Sequence, residues 1–223
     1  MSFKKFAERF GLSTAEKPIN PSLFGDSLAE QISWEPLSPG GTNIRSRKLT
    51  RSEPHLLELA PTGGSLSAGA AFVLFAVLFV VERLYKGTLV ILELLPVSIF
   101  LFLGLGLLLR ASMVTVFDQR SRQVAGYFGV YGDEASWFPI KRTVPFEAIH
   151  AMQIIREKIS RQGEGYYWSY ELNLVLKDGM RCLVMDHGQL QGLRKDAQTL
   201  SRLLDIPLWD ATLQQEGYPR SSD

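Results

Sequence analysis

Residues 169–188, SYELNLVLKDGMRCLVMDHG, alternate apolar and polar side chains on either side of an Asp-Gly pair. In an extended chain Tyr170, Leu172, Leu174 and Leu176 fall on one face, and Glu171, Asn173 and Lys177 on the other. Asp178-Gly179 supplies residues that tolerate the positive φ of a two-residue turn. The stretch predicts an antiparallel hairpin and places a β domain in this part of the chain. An isolated hairpin is marginal in water, so partner strands are needed on both sides.

Candidates lie close by. SMVTVFDQ at 112–119 and QVAGYFGV at 123–130 form a second pair around Arg120, Ser121 and Arg122, and VPFEAIHAMQIIRE at 144–157 predicts one more strand, with Phe146 packing inward. NIRSRKLT at 43–50 and HLLELAPT at 55–62 make a pair farther upstream. Downstream, Leu190, Leu193, Ala197, Leu200 and Leu204 recur at spacings of three and four, which predicts an amphipathic helix over 189–204 ending before Pro207. Its stripe has the open end or face of the sheet to cover.

Two apolar runs separate the early strands from the late ones. APTGGSLSAGAAFVLFAVLFVVERLY at 60–85 carries no charge between Glu58 and Glu82, and TLVILELLPVSIFLFLGLGLLL at 88–109 carries only Glu93. Each offers about 20 residues, enough to cross about 30 Å of hydrocarbon. The expectation is a transmembrane hairpin, helices 64–83 and 88–109, joined by ERLYKG. Arginines and lysines concentrate on the flanks, which puts both flanks and both termini on the cytoplasmic side. Small residues Gly64, Ser65, Ser67, Ala68, Gly69 and Ala71 face Gly104 and Gly106 across such a hairpin, where close approach holds helices together. Glu93 is a candidate intramembrane polar site about six residues into the second helix, able to lean toward Arg83 or Lys86, and Pro96 is expected to kink that helix.

The resulting fold class is membrane α+β. A cytoplasmic antiparallel β domain of about seven strands is split by the hairpin and closed by a C-terminal helix. The divisions are 1–42 (amphipathic segment and irregular Pro/Ser/Gly-rich arm), 43–62 (first strand pair), 63–110 (transmembrane hairpin), 111–210 (remainder of the β domain) and 211–223 (tail). Phe3, Phe6, Ala7 and Phe10 recur at helical spacing among Lys4, Lys5 and Arg9, the pattern of an interfacial helix whose cations reach lipid headgroups.

SYELNLVLKDGMRCLVMDHG, followed by DAQTLSRLLDIPLWD, resembles a group of uncharacterised bacterial inner-membrane proteins that combine a pleckstrin-homology-like domain with a two-helix transmembrane hairpin. WEPLSPGGTN before the first strand and FEAIHAMQIIRE are similar to the same group, so the resemblance spans about Trp34 to Asp210. It implies an architecture and a multi-pass inner-membrane location. It brings no assigned reaction and no catalytic residues.

Composition narrows the function classes. A net charge of +1 gives no bulk field for nucleic acid, and Cys182 as sole cysteine excludes an intramolecular disulfide and a multi-cysteine metal site. His55, His150 and His187 form no metal-binding spacing. Asp186-His187-Gly188 invites a general-base role, but no nucleophile motif accompanies it, and a turn with Asp186 satisfying helix-start amides is the simpler account. Neither catalytic residues nor a cofactor are expected. Arg120 and Arg122 are candidate lipid-headgroup contacts, and Tyr166, Tyr167 and Trp168 a candidate partner patch or bilayer contact. The leading expectation is a membrane-anchored interaction or scaffolding module whose partners are the bilayer and a protein or second copy. An accessory subunit of a transport or envelope-assembly complex, and a membrane hydrolase with an unrecognised site, are the alternatives.

Overall fold

Strand β2 (Leu56–Pro61) pairs antiparallel with β3 (Thr115–Asp118), Leu59 opposite Thr115 and Leu57 opposite Phe117, although more than 50 residues separate them. Between them run two long apolar helices, occupying the place of a hairpin turn. The computed structural model describes residues 19–88, 90–132, 134–161 and 165–215. The segment containing Phe3, Lys4, Lys5, Phe6 and Arg9 lies outside the described residues.

The elements follow in chain order. A short helix α1 (Ser27–Gln31) precedes β1 (Arg47–Glu53) and β2; then come the long helices α2 (Gly63–Tyr85) and α3 (Leu94–Ser112). After β3 the chain forms β4 (Gln123–Tyr131), β5 (Glu134–Pro145), β6 (Ile149–Arg161), β7 (Gly165–Leu176) and β8 (Arg181–His187). Helix α4 (Leu190–Leu204), β9 (Leu208–Asp210) and α5 (Thr212–Gln215) complete it. One sheet results, ordered β1-β2-β3-β4-β8-β7-β6-β9 with β5 on β4, antiparallel except where β9 joins β6.

The fold is α+β, and its strand count differs from the expected seven. Nine strands form among the described residues. The stretch 144–157 does not make one strand: Pro145 ends β5, a single 3-10 turn Phe146–Ala148 follows, and β6 begins at Ile149. Proline has no amide to give a ladder, so the strand breaks there and Phe146 drops into the core. The β7–β8 turn has Gly179 at φ +84°, and the Asp178 carboxylate accepts from the Met180 amide at 2.9 Å.

The main core joins Leu57, Phe117, Phe128, Ile154, Leu172 and Leu174 to Leu193, Ala197 and Leu200 of α4. Helix α4 is fastened through two residues of its N-terminal half, Arg194 and Asp196. Asp196 accepts from the Arg45 guanidinium at 2.9 Å and from the Leu49 amide on the edge of β1 at 3.1 Å. Arg194 reaches Asp210 at 2.7 Å and Thr212 at 2.6 Å.

Helices α2 and α3 touch through Gly69 and Gly104. A Cβ on Gly104 would stand 2.7 Å from Val73 Cγ2 and 2.9 Å from the Gly69 carbonyl. Gly64 and Gly106, expected in the same contact, have nothing within 4 Å of an added Cβ, so the close approach is confined to one crossing. The second helix also starts later than predicted. Ile91–Glu93 form a 3-10 turn, and the α-helix begins at Leu94. Pro96 therefore occupies the first turn, where its missing amide breaks no helical bond, and it is not a mid-helix kink site. Glu93 correspondingly stands at the helix start, not six residues within it.

Candidate functional site

Strands β6, β7 and β8 turn one face to the core and the other toward residues 19–46. Those residues lie across the sheet as a strap, so the face that alternation marks as polar is buried. Phe24 stacks on Trp34 at 4.8 Å, and both rings lie 6.2 Å from Trp209. Along the strap Gln153 donates to the Ser33 carbonyl (3.1 Å) and Arg181 to the Glu35 carbonyl (2.9 Å).

Beyond Glu35 the strap turns its amides to three carboxylates, one from each strand. Leu37 and Ser38 donate to Glu171 at 2.9 and 3.0 Å. Gly40 and Gly41 donate to Glu157, and the Thr42 amide to Asp186. A side chain at Gly41 would overlap Ser169 and Asp186, so only glycine fits the crossing. Burial pushes the Glu171 carboxyl up, against the pull of its strap amides and Asn173. Burial, with Glu171 and Glu157 nearby, pushes Asp186 up to about 7.

The hydroxyl of Ser169 explains where a proton belongs. Its oxygen lies 3.1 Å from the Thr42 carbonyl and in contact with the Asp186 carboxyl, both acceptors when Asp186 is ionised. One hydroxyl has one proton. When Asp186 is protonated it donates to Ser169, and Ser169 donates to Thr42. Ionised Asp186 accepts the hydrogen bond from Ser169 and leaves the Thr42 carbonyl without it.

The candidate catalytic groups point inward. His187 is fully buried; its Nδ1 accepts from the Gln189 amide at 3.1 Å, and burial, then the Arg45 charge, lower its pKa to about 4. It is a neutral interior histidine. Asp186 serves the strap, not the start of α4, whose N-cap Gln189 makes no side-chain cap bond. The Cys182 thiol is buried and pushed up to about 12. Among the described residues no three His, Cys, Asp or Glu side chains are grouped to hold a metal ion. Two open clefts flank the β7–β8 turn, about 440 Å³ by Ile32, Gly132 and Arg181 and about 250 Å³ by Tyr131, Ala148 and Lys177.

At the root of the long helices the sheet is tied in by Arg47. Its guanidinium donates to the Leu59 carbonyl at 3.3 Å and to the Arg110 carbonyl in the last turn of α3 at 3.4 Å. Burial, then the Arg110 charge, lower the Arg47 pKa. Thr62, the N-cap of α2, donates from its hydroxyl to the Arg45 carbonyl at 2.7 Å. At the opposite end Arg83 pairs with Glu93 at 3.1 Å, and Lys86 with Glu82 at 2.5 Å.

Other sequence candidates are dispersed. Arg120 and Arg122 sit on the β3–β4 turn, at the end of β3 away from α3, and Arg122 is held by Glu147 at 2.6 Å. Tyr166 and Trp168 share a face of β7, whereas Tyr167 projects to the other and donates to the Gly41 carbonyl at 2.8 Å. The patch of three is thus a pair. Sequence reasoning missed the two cations beneath it: Arg156 stacks over Trp168 at 3.9 Å and Lys158 over Tyr166 at 4.3 Å. It missed the carboxylate seam too, although polar residues at alternate positions of β6 and β7 beside an arm bearing Trp34 were a usable signal. Compared with models of known families and with curated proteins, the chain matches none.

Proposed function

We propose that the protein is a membrane-anchored interaction module: α2 and α3 cross the bacterial inner membrane as a hairpin, and the strapped β domain is presented at its cytoplasmic face. The observation carrying this reading is the exposure of the helices. Both are long and apolar enough to cross a membrane, and only 11% and 6% of their spans are buried, whereas a core helix of a soluble protein would be mostly covered. Leu92 and Phe102 are 79% and 76% exposed beside a domain whose own core is closed by α4. Charge favours the orientation. Arg83 and Lys86 at the connection each have a carboxylate partner, while Arg47 and Arg110 at the root form no ion pair among the described residues.

The antiparallel sheet and the helix after it favour a pleckstrin-homology-like plan, from which the parallel β9 and the inserted helices depart. Binding, not catalysis, suits a domain whose buried Glu157 and Glu171 are engaged in holding the strap. Alkaline extraction tests the anchor: the full chain is expected to stay in the membrane pellet. Protease added outside spheroplasts is expected to spare a tag placed after Asp223, and a soluble chain or a cleaved tag would overturn the reading.

A further inference from the structure

The β6–β7 hairpin overruns the sheet at the root of the helices. The last paired residue of β7 against β8 is Tyr170, opposite His187, while β7 and β6 continue together to the Gly165–Arg161 pair. Five more residues of strand are about 16 Å. This end is fixed relative to the membrane helices by short links. The Thr62 amide at the start of α2 bonds to the Ser46 carbonyl at 3.0 Å, and Ser46 donates to the Asp186 carbonyl in β8 at 3.2 Å.

The overrun carries its own chemistry. Trp168 and Tyr166 meet edge to face at 5.7 Å, and the register places Lys158 opposite Trp168 and Ser160 opposite Tyr166 on the same face. Arg156 and Lys158 lie against the rings, and Tyr166 is 58% exposed. Indole and phenol rings with cations beside them match the boundary between headgroups and acyl chains, where an apolar ring and a charged tip are both satisfied.

We infer that Tyr166, Trp168, Arg156 and Lys158 form a second membrane contact, which seats the overrunning hairpin on anionic lipid headgroups and fixes the tilt of the β domain. The inference rests on the proposed membrane insertion of α2 and α3. Tyr167, facing the strap, takes no part in it.

Spin labels on the full chain in vesicles separate the two readings. The native cysteine, Cys182, is buried, so a label placed by Ser160→Cys reports the exposed position beside Tyr166; Phe102→Cys reports the helices, and Ser52→Cys the far end of the domain. With phosphatidylglycerol present, the Ser160 label is expected to lose accessibility to a water-soluble relaxant several-fold relative to the Ser52 label. Lys158→Glu, or vesicles of phosphatidylcholine alone, should restore it. A Ser160 label as wet as the Ser52 label, while the Phe102 label is immersed, overturns the contact and leaves the anchor standing. A wet Phe102 label overturns the anchor itself. Immersion of the Ser160 label regardless of lipid charge or Lys158→Glu overturns the assignment to anionic headgroups.

Discussion

Glu157 and Glu171 are 4% and 3% exposed, whereas Leu92 and Phe102 are 79% and 76% exposed. The β domain buries these two carboxylates and the helical hairpin displays these two apolar side chains. In the first region Glu157 and Glu171 accept from strap amides. In the second no part of the described chain covers Leu92 and Phe102, which the proposed bilayer would do. Burial is thus decided region by region by what the neighbouring surface supplies.

The largest test of that contrast sets an aromatic packed under the strap against a helix aromatic. Trp209→Ala is expected to destabilise the β domain by about 3–5 kcal/mol, because it leaves a cavity against Phe24 and Trp34. Phe102→Ala should leave β-domain unfolding unchanged. Urea unfolding of the full chain in detergent, followed by β-sheet circular dichroism, reads both; equal losses would mean that the regions are one packed unit. Asp196→Ala comes next, at about 3 kcal/mol, since it strips Arg45 and the Leu49 amide of a buried partner.

The carboxylate seam adds a dependence on pH that the helices lack. Asp186 is raised from 3.8 to about 7, so its stabilising contribution is complete below pH about 4 and is lost as pH rises through about 7. Ser169, the Thr42 amide, Glu157 and Glu171 face it, and Arg181 lies beyond Glu171. Ionisation adds a like charge to the seam and withdraws the Ser169 proton from Thr42. Hydrogen exchange at Gly40–Thr42, corrected for intrinsic rates, should therefore lose protection between pH about 4 and about 7 and level off above that. Asp186→Asn should flatten this profile, and a profile unchanged by the substitution would show that Asp186 does not govern the strap.

Legibility in the sequence followed the same divide. The hairpin of β7 and β8 could be read because alternation and Asp178-Gly179 are local signals, and the long helices because their apolar runs need no partner to be recognised. The strap has no period of its own. Its conformation is set by amides meeting Glu157, Glu171 and Asp186, contacts more than 100 residues away in the chain. The same long-range pairing hid Asp186's role behind its neighbour His187, and β5 was hidden by Pro139 within it, a residue that argues against a strand. For Tyr166-Tyr167-Trp168 the composition marked a patch, but only the strand register divides it between two faces and brings Arg156 and Lys158 beneath it.

Between the helices the expected effects are smaller. Gly104→Leu should separate α2 from α3 at their crossing, by about 1–2 kcal/mol of association, because an added side chain meets Val73 and the Gly69 backbone. Distances between spin labels at Leu74→Cys and Leu103→Cys in vesicles would lengthen if this crossing holds the pair. An unchanged distance would place the holding contacts elsewhere, for example at Phe75 and Phe100, 5.0 Å apart.

Glu93→Gln is the smallest change and the sharpest on the role of charge. Glu93 and Arg83 approach to 3.1 Å with side chains 28% and 33% exposed, against 9% for Asp196 in its pair with Arg45. A pair this open is worth at most about 1 kcal/mol, since water and headgroups screen it. Losing Glu93 also leaves Arg83 its contact with Phe79 at 5.1 Å and with Glu82 at 3.8 Å. The glutamine variant should keep the hairpin inserted and its label distances within error of the parent. A variant that fails to insert, or that loses the label distance while Asp196→Ala remains mild, would reverse the ranking of the two ion pairs and make Glu93 a site in its own right.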